Sequence, residues 1–265
     1  MRATTVRRSA LAASVASLVL LATACGGSSD GSDSADKAAG SSKSSASASA
    51  EAEQAPVKAL TAAELEKATL AQGDIAGLKI EKAAGDDIVE PGDVTVDKAA
   101  CLPFAQALFA AAQGEPVASA SRSVESEAGA TGADATADDA TASIAGGDHT
   151  ELTLSSYEGT GAADVFAAVR TAATACASGF TVTTSGEAQK ISGITEEKVT
   201  GGEERAAWTL TVEQEGTKVP FDLAVVRQGS TVSTFSTLNV AAFMGKEVKL
   251  TQPQPVIDAQ VKKLG

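Results

Sequence analysis

Residues 205–240 read RAAWTLTVEQEGTKVPFDLAVVRQGSTVSTFSTLNV. Trp208, Leu210 and Val212 alternate with small or polar neighbours, and Val219, Phe221, Leu223 and Val225 do the same. Side chains two apart on a strand share a face, so each set marks one side of a sheet. Glu215-Gly216 and Gln228-Gly229 interrupt the alternation where tight turns would fall. The pattern predicts three strands, about 205–214, 217–227 and 231–240, joined as an antiparallel meander with one buried face.

Working outward, Phe180 opens a further strand and residues 188–199 supply another. Upstream, Gly161 to Ala177 has Val165, Phe166, Val169, Ala172, Ala173 and Cys176 near helical spacing, and Ser178-Gly179 stops it. Residues 117–124 and 149–156 read as strands on either side of an acidic segment at about 125–147. That segment is too polar to pack and is expected to be a long mobile hairpin loop. A helix is expected from Leu102 to Gln113, with Pro103 in its first turn and Phe104 and Leu108 on its apolar stripe. Residues 84–98 are acidic and turn-rich, with a turn at Pro91-Gly92. Thr61-Ala62-Ala63-Glu64 forms a capping box opening a helix with Leu65, Ala68 and Ile75 on one face. Gly73 and Gly77 break it, and Leu78 to Glu81 alternates as a short strand. At the other end, Pro255 to Leu264 places Ile257, Val261 and Leu264 on one helical side. Helices and a meander within one domain, residues 58–265, make the class α+β: an antiparallel sheet, meander-rich in its C-terminal half, packed by a few helices.

The N-terminal region sets the location. Arg2, Arg7 and Arg8 precede an uncharged run at residues 10–21, and Ala22-Thr23-Ala24 puts small residues directly before Cys25. A basic segment, a short apolar segment and a small-residue cut site are the parts of a secretory signal peptide, here residues 1–24. The apolar run falls short of the roughly 20 residues needed to span a bilayer. Leu21, Ala22 and Ala24 before Cys25 resemble the lipobox of bacterial lipoproteins. The resemblance implies lipidation at Cys25 by palmitate-type acyl chains, two of which are the minimum for stable anchoring. Residues 26–57 have almost no side chain larger than Ala that could be buried, so 25–57 is read as the attachment site and a disordered tether. A flexible chain of that length reaches about 30 Å. The expected location is the extracytoplasmic face of the cell membrane.

Charge and composition exclude several roles. Removing residues 1–24, with three arginines and no acid, takes the net charge from −13 to −16. Such a surface does not suit nucleic acid, which demands clustered Lys and Arg. Asp30, Asp33 and Asp36 lack the spacing of a calcium loop. His149 is the only histidine, so no zinc cluster and no metal site is expected. It is flanked by Asp148 and Glu151, but no G-x-S-x-G elbow accompanies it, and it is expected to be a surface residue. The adjacent acids Asp86-Asp87, Asp138-Asp139 and Glu203-Glu204 are read as solvated charges. No phosphate-binding or dinucleotide fingerprint is present, so neither cofactor nor catalysis is expected.

With Cys25 assigned to lipid, Cys101 and Cys176 allow a single disulfide, which would staple the start of one helix to the end of another. Buried free thiols are the alternative. Tyr157 and Trp208 are the large amphipathic aromatics; each is a candidate to line a ligand cleft, and core packing explains Trp208 equally well.

The order LEKATLAQGDIAGLKI at 65–80, Cys101-Leu-Pro-Phe, Ser156-Tyr157 before a helix ending in Cys176, and Ala207-Trp208 in a strand resembles a known family layout. It is similar to actinobacterial lipoproteins whose domains are like the extracellular sensor domain of PknH-type Ser/Thr protein kinases, over residues 60–245. The resemblance implies helices packed on an antiparallel sheet around a cleft, and a ligand-binding role. Those sensor domains hold two disulfides where this chain can form one, and no kinase is present, so a signalling output does not carry over. The expected function is a non-catalytic binding or sensing module for a small molecule, lipid or wall fragment, with envelope proteins as further partners. Carriage of a lipid or glycolipid is the alternative.

Overall fold

Alternation and turn chemistry place nine strands in one sheet. The computed structural model describes residues 57–126 and 147–265. Cys25, the signal segment, nearly all of the tether and most of the acidic loop lie outside the described residues. In chain order the elements are α1 (Ala62–Ala68), β1 (Leu78–Lys82), β2 (Thr95–Val96), α2 (Leu102–Leu108), β3 (Ala118–Ser126), β4 (Asp148–Ser156) and α3 (Gly161–Ala175). Then follow β5 (Phe180–Thr184), β6 (Glu187–Glu197), β7 (Glu204–Gln214), β8 (Thr217–Gln228), β9 (Thr231–Asn239), α4 (Val240–Phe243) and α5 (Gln254–Leu264). Short 3-10 turns occupy Gly85–Asp87, Pro91–Asp93 and Ala99–Cys101. The strand order is β1-β3-β4-β9-β8-β7-β6-β5-β2. Every neighbouring pair is antiparallel.

The expected meander lies within this sheet as β7, β8 and β9, each within a residue of its expected bounds. Glu215 and Gly216 both take positive φ, 51° and 85°, as a two-residue hairpin turn requires. Residues 117–124 and 149–156 also pair as expected, as the β3–β4 hairpin. The expectation of one buried face is corrected. Trp208, Leu210, Val219, Leu223 and Val225 pack with α2 and α3 on a first face. Ala207, Ala224, Val226 and Phe235 pack with Leu65 of α1 and with Val256 and Ile257 of α5 on a second. The second face escapes a hydropathy reading because much of it is Ala, Ser and Thr. Ser233 and Thr237 are almost fully buried there.

The second layer is tied by polar groups that satisfy backbone atoms. Thr61 and Glu64 form the expected capping box, the Thr61 N–H donating to Glu64 Oε2 at 2.8 Å. The chain leaving α1 is then held from two directions. The Leu70 N–H donates to Gln260 Oε1 at 3.0 Å, and Gln260 Nε2 donates to the Ala68 carbonyl at 2.7 Å. Arg122 Nε donates to the Leu70 carbonyl at 2.8 Å while its guanidinium pairs with Glu66. Gln260, fully buried on α5, thus takes a place expected of an apolar side chain, and Val261 and Leu264 are only half-buried.

On the first face, Phe104 of α2 meets Trp208 edge-on at 5.3 Å and Phe180 at 6.3 Å. Such edge contacts add to the burial of large rings. Cys101 and Cys176 are bonded, with Cα atoms 5.8 Å apart, joining the start of α2 to the end of α3. Gly179 follows with φ 89°, and a Cβ there would sit 2.5 Å from the Ile191 carbonyl oxygen, so the turn into β5 requires glycine. Helix α2 is shorter than the expected span to Gln113. It stops at Leu108 in a Schellman arrangement: the Ala111 N–H donates to the Gln106 carbonyl and the Ala110 N–H to the Ala107 carbonyl. Ala110 occupies the left-handed position with φ 50°. A seven-residue α2 leaves part of the first face uncovered.

Candidate functional site

The uncovered part of the first face is a cavity of about 460 Å³. Period-two alternation supplies its floor, because Thr217, Val219 and Phe221 of β8 lie on the same face as Ser236 and Leu238 of β9. Register then extends that floor across strands. His149 of β4 stands opposite Leu238, Leu238 opposite Phe221, and Glu151 opposite Ser236. Leu108 and Phe109, at the end of α2, form one wall. Ser236 Oγ donates to the Leu108 carbonyl at 2.5 Å and pins that helix end to the floor. Val212 and Glu215 close the side toward the β7–β8 turn, with Gln189 from β6 beside them. Asp87 and Val89 come from the turn-rich segment, and Phe243 of α4 forms the rim. Phe243 is 52% exposed, and Met244 and Ile88 are similarly open.

The walls are therefore mostly apolar with a few polar groups, the usual make-up of a small-molecule site, and the volume falls in the usual range of about 300–1,000 Å³. His149 is its most constrained polar group. Its Nδ1 lies 2.9 Å from Glu125 Oε1 and its Nε2 lies 2.6 Å from Glu151 Oε1. Two carboxylates on two ring nitrogens require both nitrogens to donate, which is the imidazolium form. The hydrogen bond to Glu151 raises the imidazole pKa above its ordinary value; partial burial opposes this, and Glu125 adds to it. His149 is thus not the surface residue expected: its side chain is 21% exposed and faces the cavity. Asp148 points to the other face and accepts from Asn239 Nδ2 at 2.7 Å.

Among the described residues no group of His, Cys, Asp and Glu is placed to hold a metal ion. Glu125 and Glu151 engage opposite nitrogens of one ring, so the three side chains do not converge on a point. With both nitrogens donating to carboxylates, His149 is not available as a base toward a hydroxyl nucleophile.

Neither aromatic candidate lines the cavity. Trp208 is 5% exposed and packs beneath α2. Tyr157 is 3% exposed, and its hydroxyl donates to the Gln113 carbonyl at 2.7 Å. Burial pushes its phenol up to about 12, so it remains a neutral donor. The adjacent acids divide. Asp87 reaches the cavity rim, while Glu203 and Glu204 both pair with Arg227. Sequence reasoning identified Val212, Val219 and Phe221 as one-face residues but had no means to join them to Phe109, His149 or Leu238. The available signal was the spacing of His149 and Glu151, two apart on one strand.

A buried carboxylate lies on the opposite face. Asp222 is 1% exposed and accepts from the Thr209 hydroxyl at 2.9 Å, and burial raises its pKa. It does not reach the cavity.

No protein-family model and no curated protein matches the sequence. Among solved structures, the fold is similar to the crystal structure of the extracellular domain of PknH from Mycobacterium tuberculosis. The TM-score is 0.48 at 13% sequence identity, over 78% of this chain and 97% of that one. At that identity the likeness concerns the path of the chain and nothing of the site.

Proposed function

We propose that this protein is a non-catalytic binding or sensing module, held by lipid at Cys25 on the extracytoplasmic face of the membrane, whose ligand occupies the cavity beside α2. The observation that carries this reading is the cavity itself: apolar walls from Leu108, Phe109, Val219, Phe221 and Leu238, with a few polar groups around them. A cavity of this size matches a small molecule or one end of a larger one. The engagement of His149 at both nitrogens by carboxylates supports a non-catalytic reading. The anchor and tether rest on the order of residues 1–57 and would present the domain to the envelope.

Carriage of a lipid or glycolipid is the second reading, favoured by Phe243, which lines the cavity and is 52% exposed. Native mass spectrometry after gentle purification separates the two. A stoichiometric lipid supports the carrier, while an apo protein that then binds a wall fragment or small metabolite supports the sensor. In either case Leu238→Trp, which fills the floor, is expected to abolish binding with the fold intact by circular dichroism; undiminished binding would exclude the cavity. Cys25→Ser is expected to move the protein from the membrane fraction to the medium, and continued membrane retention would overturn the anchor.

A further inference from the structure

We infer that the cavity selects ligands that join an apolar body to a cationic head: a primary amine, a quaternary ammonium or an amidinium. The inference rests on the reading of the cavity as the ligand site and names the class of ligand it takes. The charged side chains lining it are Asp87, Glu151 and Glu215 with His149, and no lysine or arginine is among them. Three lining carboxylates thus face one imidazolium.

This imbalance is built into the strands. Lys190 and Lys218 each sit next to lining positions, but alternation turns them to the opposite face. There they flank Glu213, which is in register with both, and Lys218 Nζ reaches it at 3.8 Å. On the cavity side Glu151 is matched by His149, while Asp87 and Glu215 have no cation beside them among the lining residues. Asp87 and Glu215 stand at the open side of the apolar walls, where their charge is screened by salt but still favours a cation entering the cavity. Phe109, Phe221 and Phe243 line the same cavity, and aromatic rings attract cations by their quadrupoles. An anionic head, whether carboxylate or phosphate, meets repulsion at the same place.

The test uses three probes with one apolar body: 4-phenylbutylammonium, 4-phenylbutanol and 4-phenylbutyrate. Each is titrated into the purified protein at neutral pH and low salt, with binding followed by calorimetry and located by amide shifts at Phe221, Leu238 and Phe109. The ammonium is expected to bind about tenfold or more tighter than the carboxylate, with the alcohol between them. The preference is expected to shrink as salt is added. In the double variant Asp87→Asn/Glu215→Gln, which keeps the cavity's shape, the ammonium is expected to lose most of its advantage while the alcohol binds as before. Equal or tighter binding of the carboxylate or alcohol, with shifts at the cavity, would overturn the ligand class and leave the cavity standing. A preference unchanged in the double variant would also overturn it. Absence of cavity shifts with all three probes would remove the binding-site reading and this inference together.

Discussion

His149 shows how one residue acquires a role from its neighbours. An isolated imidazole titrates near pH 6.5, and this one is held above that by Glu151 first and Glu125 second, against partial burial. The sign of its effect on stability follows from linkage. Because the folded-state pKa is raised, the contribution is fully present below the unfolded value of about 6.5 and is lost as pH rises through the folded value. His149 is the only histidine, so its ring protons can be followed in an NMR titration without assignment ambiguity. The midpoint is expected above 6.5, and Glu151→Gln is expected to lower it more than Glu125→Gln. A wild-type midpoint at or below 6.5 would contradict the double carboxylate contact.

At the scale of elements, the site depends on where α2 stops. The Schellman arrangement at Phe109–Ala111 turns the chain after seven helical residues and leaves Phe109 against the cavity. Ala110 holds φ at 50°, where an L-residue with a Cβ is strained by roughly 1–2 kcal/mol. Glycine removes that strain but loses more backbone entropy, by about 0.5–1 kcal/mol. Ala110→Gly is therefore expected to stabilise the domain by up to about 1 kcal/mol, read as a higher urea midpoint with an unchanged slope. A lower midpoint would show that the Ala110 methyl group contributes more by packing than it loses by strain.

For the molecule as a whole, the sheet carries helices on both faces, and the disulfide constrains the chain that covers the first. Cys101 and Cys176 are separated by 75 positions. In the chain-entropy account, closing such a loop stabilises the fold by about 4.5 kcal/mol, an upper figure. Cys101→Ser combined with Cys176→Ser is expected to lose a large part of that in chemical denaturation. Each single variant is expected to lose the same closure contribution, since either substitution breaks the bond. A double variant as stable as the parent would show that the reduced unfolded chain is already compact.

Local sequence determined much of this protein. The alternation of Trp208, Leu210 and Val212 against Val219, Phe221 and Leu223 determined the meander and its first buried face. The spacing from Phe166 to Cys176 determined α3, Thr61 with Glu64 determined the start of α1, and with Cys25 expected to carry lipid, Cys101 and Cys176 were the pair left for a disulfide. These features were legible because each is set by residues within one or two turns of chain or, for the disulfide, by elimination. The second buried face was not legible, since Ala, Ser and Thr pack under helices without an apolar signal. The cavity was not legible either. Asp87, Phe109, His149, Gln189, Glu215 and Leu238 belong to separate segments. Periodicity states which side chains share a face of one strand, but pairing register decides which rows meet across the sheet. The early stop of α2 decides which part of that face stays open, so the site exists only at the level of tertiary structure.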